Sequence, residues 1–276
     1  MKYALLLSLA WLTLPLFSLA QQPARDVAPL SIGHTQWLQS DILKEERRLN
    51  IYLPPGLDTT ATYPVLYLLD GSMHEDFMHI CGLLQFFNLQ FKMPPAIVVG
   101  IANVDRKRDF TFQTYDQELL KDLPTAGGSA PFIRFVAEEL QPFIEKHYPA
   151  NTERYLIGQS LGGLLASEIL LRNPQLFSHY FIISPSLWWD DESLLDEAPA
   201  LLQQQQLDKL FVYLSVGGEE HPVMVKDAKR LYKVLREVQD PGFQLQFNLM
   251  PEENHATILH QSIYDGLLHL FPYQEE

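Results

Sequence analysis

The sequence predicts an α/β fold, a mostly parallel central sheet with helices on both faces. Short apolar runs rich in β-branched and aromatic residues recur along the chain, and amphipathic stretches separate them. The chain shows no internal repeat or low-complexity tract, and its 47% hydrophobic and 12% aromatic content is ample for one large core. Strand and helix that alternate in this way imply parallel pairing through crossover helices.

Taken in order, strands are expected at residues 49–53, 65–69, 96–101, 155–157, 180–183, 210–216 and 243–249. The first two are joined by Pro54, Pro55, Gly56, Leu57 and Asp58, a turn-rich connection that predicts an antiparallel start before the parallel portion. Helices are expected at 131–147, where Phe132, Phe135, Leu140 and Phe143 share a face, and at 164–171, 223–238 and 258–271. The glutamine tract at 203–206 reads as a surface helix or loop.

Ahead of the strands, Lys2 precedes an apolar run at 4–17 that Pro15 breaks, and Ser18, Leu19 and Ala20 put small residues at both cleavage-determining positions. Residues 1–20 therefore read as a secretory signal peptide and 21–276 as the mature domain. The uninterrupted run is shorter than the about 20 apolar residues of a membrane-spanning helix, so no stable membrane insertion is expected after cleavage. No cysteine follows the cleavage site to take a lipid. Cys81, the only cysteine, leaves no internal disulfide and sits in an apolar stretch where a packed thiol is expected. A periplasmic or secreted bacterial protein fits this usage. The net charge of -14 argues against nucleic acid and anionic membrane surfaces as partners.

The segment Tyr155, Leu156, Ile157, Gly158, Gln159, Ser160, Leu161, Gly162, Gly163 carries the chemistry. An apolar strand ends in a GxSxG turn and a helix follows, the order a nucleophile elbow requires. The serine then sits at the tip of a strained turn on a helix N-terminus, and Gly158 and Gly162 are expected to let the neighbouring backbone come close. The alternative for Ser160 is a plain helix cap in an α/β turn.

A serine nucleophile needs a base and an acid, and on an elbow of this type the chain order is nucleophile, acid, histidine. Of the histidines only His255, His260 and His269 follow the last expected strand. His255 lies in a polar loop before the terminal helix, whereas His260 and His269 fall inside that helix. The acid should leave the preceding strand, which ends in Gly217, Gly218, Glu219, Glu220, His221. Adjacent side chains diverge, so one carboxylate alone can hold the imidazole. Glu220 is favoured and Glu219 is the fallback; Asp227, inside a helix, and Asp208, before the strand, are weaker. Oxyanion donors are expected from the N–H of Leu161, after the nucleophile, and of Ser72, in the glycine turn after residues 65–69. For Ser72 the alternative is an ordinary tight βα turn.

With these residues in place, nearly the whole mature chain resembles bacterial esterases of the α/β-hydrolase superfamily related to S-formylglutathione hydrolase, siderophore (enterobactin-type) esterases and mycolyltransferases. The resemblance rests on EERRLNIYLPP at 45–55, YLLDG at 67–71, VGIANVDRKRD at 99–109, the stretch 132–148, GQSLGG at 158–163, SPSLWWD at 184–190, and His255 with Tyr264, Gly266 and Leu267. It implies the α/β-hydrolase fold, with Ser160 as nucleophile, His255 as base and Glu220 as acid. Two departures stand out. Phe110, Thr111 and Phe112 lack the Thr-Pro that often follows the Arg-Asp pair, and Asn254, His255, Ala256 differs around the histidine, where a small residue or Gly can come first.

Arg106 and Arg108 alternate with Asp105 and Asp109, which reads either as an anion-binding rim or as ion pairs that pin a loop. Trp188 and Trp189, after a strand, either wall an acyl or aromatic pocket or pack in the core. The expected activity is hydrolysis of a small-molecule carboxylic ester through an acyl-enzyme, a siderophore-type or small acyl ester, without cofactor; no HExxH or Cys/His cluster points to a metal. Acyl transfer or peptide hydrolysis by the same residues, and a non-catalytic ligand-binding protein on the same fold, are the competing readings.

Overall fold

The computed structural model describes Ala28 and residues 30–273, so the expected signal peptide lies outside the described residues. The chain divides into Met1–Ser31 and Ile32–Glu276. The described residues of the first unit form no helix or strand, and the second holds the fold. Among the described residues its strands are β1 (Gly33–Ser40), β2 (Glu45–Tyr52), β3 (Tyr63–Leu68), β4 (Ile97–Ile101), β5 (Ala150–Gln159), β6 (His179–Ile183), β7 (Phe211–Gly217) and β8 (Gln244–Met250). They lie in the order β1-β2-β4-β3-β5-β6-β7-β8. From β4 through β8 every pairing is parallel, while β1 with β2 and β2 with β4 are antiparallel.

The helices are α1 (Phe77–Gln90), the short α2 (Arg106–Asp109) and α3 (Gln117–Asp122), α4 (Ser129–Phe135), α5 (Gln141–His147), α6 (Leu161–Arg172), α7 (Ser193–Leu202), α8 (Pro222–Leu235) and α9 (Ile258–Leu270). Strand alternation sorts the core into two faces. Val65, Tyr67 and Leu69 pack with residues of α4 to α8, whereas Leu66 and Leu68 pack with residues of α1 and α9. All the expected strands and helices are present.

The structure adds β1, α1, α2, α3 and α7, which lie outside the segments expected from the sequence, and differs in further ways. The antiparallel start is present, but β2 pairs with β1 and β4 rather than with β3; β1 lies at the sheet edge with little buried surface and so lacks an apolar signal. The helix expected at 131–147 is interrupted by a π turn at Val136–Leu140. Pro142 follows that turn and has no N–H to continue an α ladder, which a wider turn accommodates. Helix α1 has no polar stripe because it is apolar on most of its faces, burying Phe77, Ile80, Cys81, Leu83, Leu84 and Phe87. Burial pushes the Cys81 thiol up to about 12, as a packed, inert thiol requires.

Candidate active site

Ser160 stands between β5 and α6 at φ 61° and ψ -122°, a region non-glycine residues rarely occupy. The strain is held by the surroundings: its N–H donates to Ile183 O at 3.1 Å, and its carbonyl accepts from Leu164 N at 2.9 Å and Ser186 N at 3.0 Å. A Cβ at Gly158 would lie 2.3 Å from Gly162 O, so this glycine is required. At Gly162 the nearest atoms would be at an ordinary 3.5 Å, whereas at Gly163 a Cβ would meet Ile183 O and Pro185 Cα at 2.9 Å. The close approach expected at Gly162 is thus made one residue later.

The turn after β7 and the loop that carries His255 come together through two more glycines. A Cβ at Gly217 would sit 2.4 Å from Glu253 O and one at Gly218 2.7 Å from Pro251 Cα. Gly218 N donates to Met250 O at 2.7 Å and Glu219 N to Glu253 O at 3.1 Å. The Glu219 side chain turns to solvent, while Glu220 points inward, its side chain 1% exposed. Glu220 Oε2 receives His255 Nδ1 at 2.7 Å, and Oε1 receives Gly217 N at 2.9 Å and the Ser184 hydroxyl. Burial alone would raise the Glu220 pKa, but the hydrogen bonds from His255, Ser184 and Gly217 together outweigh it and hold the carboxyl below the usual glutamate range.

His255 is 47% exposed through its side chain, and its carbonyl accepts from Gln159 Nε2 at 2.5 Å, which ties the loop to the residue before Ser160. The hydrogen bond between Ser160 Oγ and His255 Nε2 is not formed. Among the described residues the partner of Ser160 Oγ is Ser186 Oγ at 3.4 Å. Nucleophile–base hydrogen bonds are often long in resting sites and close only when substrate loads.

Of the two expected oxyanion donors, Leu161 N–H opens α6 and has no carbonyl within the helix to donate to. Ser72 N–H donates to Glu75 Oε2 at 3.1 Å, so its role as an oxyanion donor requires that this contact yield or be shared. Asp70, beside it, is left-handed at φ 54°. Arg106 grips Asp70 through two hydrogen bonds, Nε to Oδ1 at 2.6 Å and a terminal nitrogen to Oδ2 at 2.9 Å, and donates to Gln159 O at 3.2 Å. Its fork therefore joins the turn after β3 to the strand end before Ser160. The ion pairs around it pin the loop too: Asp105 caps α2, and Asp109, fully buried, receives Arg47 at 2.6 Å and Arg108 at 2.8 Å.

Trp189 does not line a substrate pocket. It is 0% exposed, and its indole N–H donates to Phe112 O at 3.0 Å, which makes it a core residue. Trp188 is half-buried and packs beside Val216, Met224 and Ala228. His221 caps α8, accepting from Val223 N at 3.3 Å. Sequence reading missed Ser184, Ser186 and Gln159 as partners of the site, although all three lie inside the stretches that carried the resemblance. A cavity of about 490 Å³ between α7 and α8, lined by Leu202, Leu207, Val234 and Val238, holds none of these residues. Among the described residues no three His, Cys, Asp or Glu side chains are grouped to hold a metal ion, and no helix is long and apolar enough to cross a membrane.

A family model described as "Putative esterase" matches residues 40–262. The ferri-bacillibactin esterase BesA of Bacillus subtilis is 30% identical over 242 residues, covering 78% of this chain and 82% of that protein. The iron(III) enterobactin esterase of Escherichia coli K12 is 27% identical over 215 residues, covering 75% of this chain and 50% of its own. Among solved structures, an IroE-like serine hydrolase from Shewanella oneidensis superposes with a TM-score of 0.78 at 29% identity, over 87% of this chain and 80% of that one. The BES protein of Bacillus cereus does so with a TM-score of 0.78 at 29% identity, over 88% and 96%.

Proposed function

Because the chain belongs to this esterase family of the α/β-hydrolase superfamily, and is a carboxylic ester hydrolase, we propose that it cleaves its ester through an acyl-enzyme on Ser160. In this mechanism His255 Nε2 takes the Ser160 proton as Oγ attacks the ester carbonyl. Glu220 holds the imidazole by Nδ1 and stabilises the imidazolium. The oxyanion that develops is met by Leu161 N–H and by Ser72 N–H, released from Glu75. His255 then protonates the departing alkoxide; in the second half it deprotonates a water that attacks the acyl carbonyl, and it returns that proton to Ser160 Oγ as the carboxylic acid leaves. The observation that carries this reading is the strained Ser160 turn facing a loop whose histidine is already held by a buried, ionised glutamate.

The substrate proposed is a small-molecule ester of the siderophore class, because relatives named for ferri-bacillibactin and iron(III) enterobactin match most of the chain. The enzyme is further proposed to be exported, with residues 1–20 removed, on the pattern of Lys2, the apolar run and Ser18-Leu19-Ala20. Ser160→Ala should lower hydrolysis of a short p-nitrophenyl ester by about 10⁴-fold or more with the fold intact, and a fluorophosphonate should add its mass to the wild type at Ser160 alone. Near-normal turnover in the variant would remove the mechanism. Intact-mass measurement of exported protein should find a chain beginning at Gln21; a species that keeps residues 1–20 would overturn the export proposal.

A further inference from the structure

The residues that follow β6, Ser184, Pro185 and Ser186, touch both the acid and the nucleophile of the proposed constellation. Ser184 is fully buried at φ 42°, a conformation L residues rarely adopt. Its N–H donates to Ser215 O at 2.8 Å, and its hydroxyl donates to Glu220 Oε1. Ser186 is 3% exposed; its N–H holds Ser160 O at 3.0 Å, and its Oγ lies 3.4 Å from Ser160 Oγ. Between them Pro185 lies against α6 where Gly163 has no Cβ, so the segment has no room to slide. Alanine at 184 or 186 would fill the same buried space. The two hydroxyls, each aimed at a different functional side chain, are therefore more than packing requires.

We propose that Ser184 and Ser186 are positioning residues for acyl transfer, Ser184 through Glu220 and Ser186 through Ser160. The proposal rests on the Ser160, His255, Glu220 reading given above. Glu220 offers one oxygen to His255 and the other to Gly217 N–H and the Ser184 hydroxyl. When the Ser184 donor is lost, Oε1 keeps the Gly217 N–H alone. More of the carboxylate's charge is then directed at His255, and its protonated form is favoured. Loss of Ser184 should therefore move the acid limb of the kcat/KM profile to higher pH. Ser186 acts differently. With the Ser160–His255 hydrogen bond unformed, it is the side chain that sets the Ser160 rotamer. Without it Oγ spreads over three staggered wells, about one in three of them productive, so kcat should fall about threefold or somewhat more with KM unchanged.

The experiment compares the full-length enzyme with Ser160→Ala, Ser184→Ala, Ser184→Gly, Ser186→Ala and Ser186→Thr in p-nitrophenyl acetate hydrolysis across pH 4 to 9, with circular dichroism to establish folding. Glycine at 184 removes the hydroxyl while suiting the positive φ, so a folding defect of the alanine variant leaves the test intact. The expected result is an acid limb displaced upward by several tenths of a pH unit in both Ser184 variants. Ser186→Ala should show reduced kcat at unchanged KM and an unmoved limb, with recovery in Ser186→Thr. Wild-type profiles in the Ser184 and Ser186 variants, beside an inactive Ser160→Ala, overturn the proposal and leave the triad standing. A uniform loss with no limb movement and no threonine rescue overturns it as well, since that is what a purely structural role gives. Activity retained by Ser160→Ala overturns the triad reading itself.

Discussion

At the residue scale the site turns on which of two adjacent glutamates is inside. The alternation of side chains along a chain leaving a strand makes one of them diverge, and this much can be read from Gly217, Gly218, Glu219, Glu220. What sets the choice is the contact of Gly217 and Gly218 with the 250–253 backbone, which turns Glu220 toward His255 and leaves Glu219 outside. Glu220→Gln should consequently cost turnover heavily, on the order of 10³-fold or more, because the imidazole loses the acceptor that fixes its tautomer and balances its charge. Glu219→Gln should stay within about twofold. Steady-state hydrolysis of a p-nitrophenyl ester by the two variants decides it; comparable, mild losses would place the acid elsewhere. The serines at 184 and 186 were not legible as site residues, because nothing in a sequence says that a hydroxyl in a turn after one strand will meet a carboxylate leaving the next. Trp189 was ambiguous for a related reason: a tryptophan after a strand suits a pocket wall or a core, and only its burial and its bond to Phe112 decide.

At the element scale, apolar runs bounded by turn residues and long amphipathic stretches were legible, whereas α1, α7 and β1 were not read. Helix α8 alternates apolar and charged residues and is read directly, while α1, apolar on most faces, and β1, an edge strand with exposed side chains, carry no pattern that distinguishes them from loop or core. Helix α6 shows the limit of a motif. GxSxG names Gly158 and Gly162, yet it is Gly163 that lets α6 lie against the chain leaving β6. Gly163→Ala places a methyl at 2.9 Å from Ile183 O and Pro185 Cα, both of them backbone atoms with nowhere to go. It should destabilise by about 1–3 kcal/mol. Gly162→Ala meets only ordinary contacts and gains helix propensity, so it should be neutral or stabilising by up to about 1 kcal/mol. Urea denaturation of the two variants gives the ranking. The reverse order would show that the helix–strand contact is made at Gly162 after all.

At the scale of the whole molecule, the alternation of strands and helices foretold the sheet, and the segments carrying Ser160, Glu220 and His255, each after a strand, do come together at one end of the sheet. How stability depends on pH was not foretold, since it depends on which ionisable groups the fold buries. His179 opens β6 with its ring stacked on Tyr155, centroids 4.1 Å apart and planes 11° from parallel, and its Nδ1 2.9 Å from Ser178 Oγ. Burial pushes its pKa down from 6.5 to about 4, against a smaller opposing pull from Glu153. A base whose folded pKa is depressed is protonated first in the unfolded chain, so stability is lost as pH falls from about 6.5 to about 4 and falls no further below that on its account. Glu220 behaves oppositely. Its folded pKa is lowered from 4.5, so its contribution is intact over the upper part of that window and is lost only as pH falls through the ordinary glutamate range toward the folded value. His260 shifts in the same direction as His179, through burial and then the charge of His79, but is exposed. Between pH 6.5 and 5 the His179 contribution amounts to at most about 2 kcal/mol at 1.36 kcal/mol per unit. His179→Phe keeps a ring against Tyr155 and removes the titration. Urea unfolding at pH 7.5 and pH 5 should show the wild type losing stability across that interval, with His179→Phe losing distinctly less and His260→Gln tracking the wild type. Equal losses in the wild type and His179→Phe would assign the acid sensitivity to other groups.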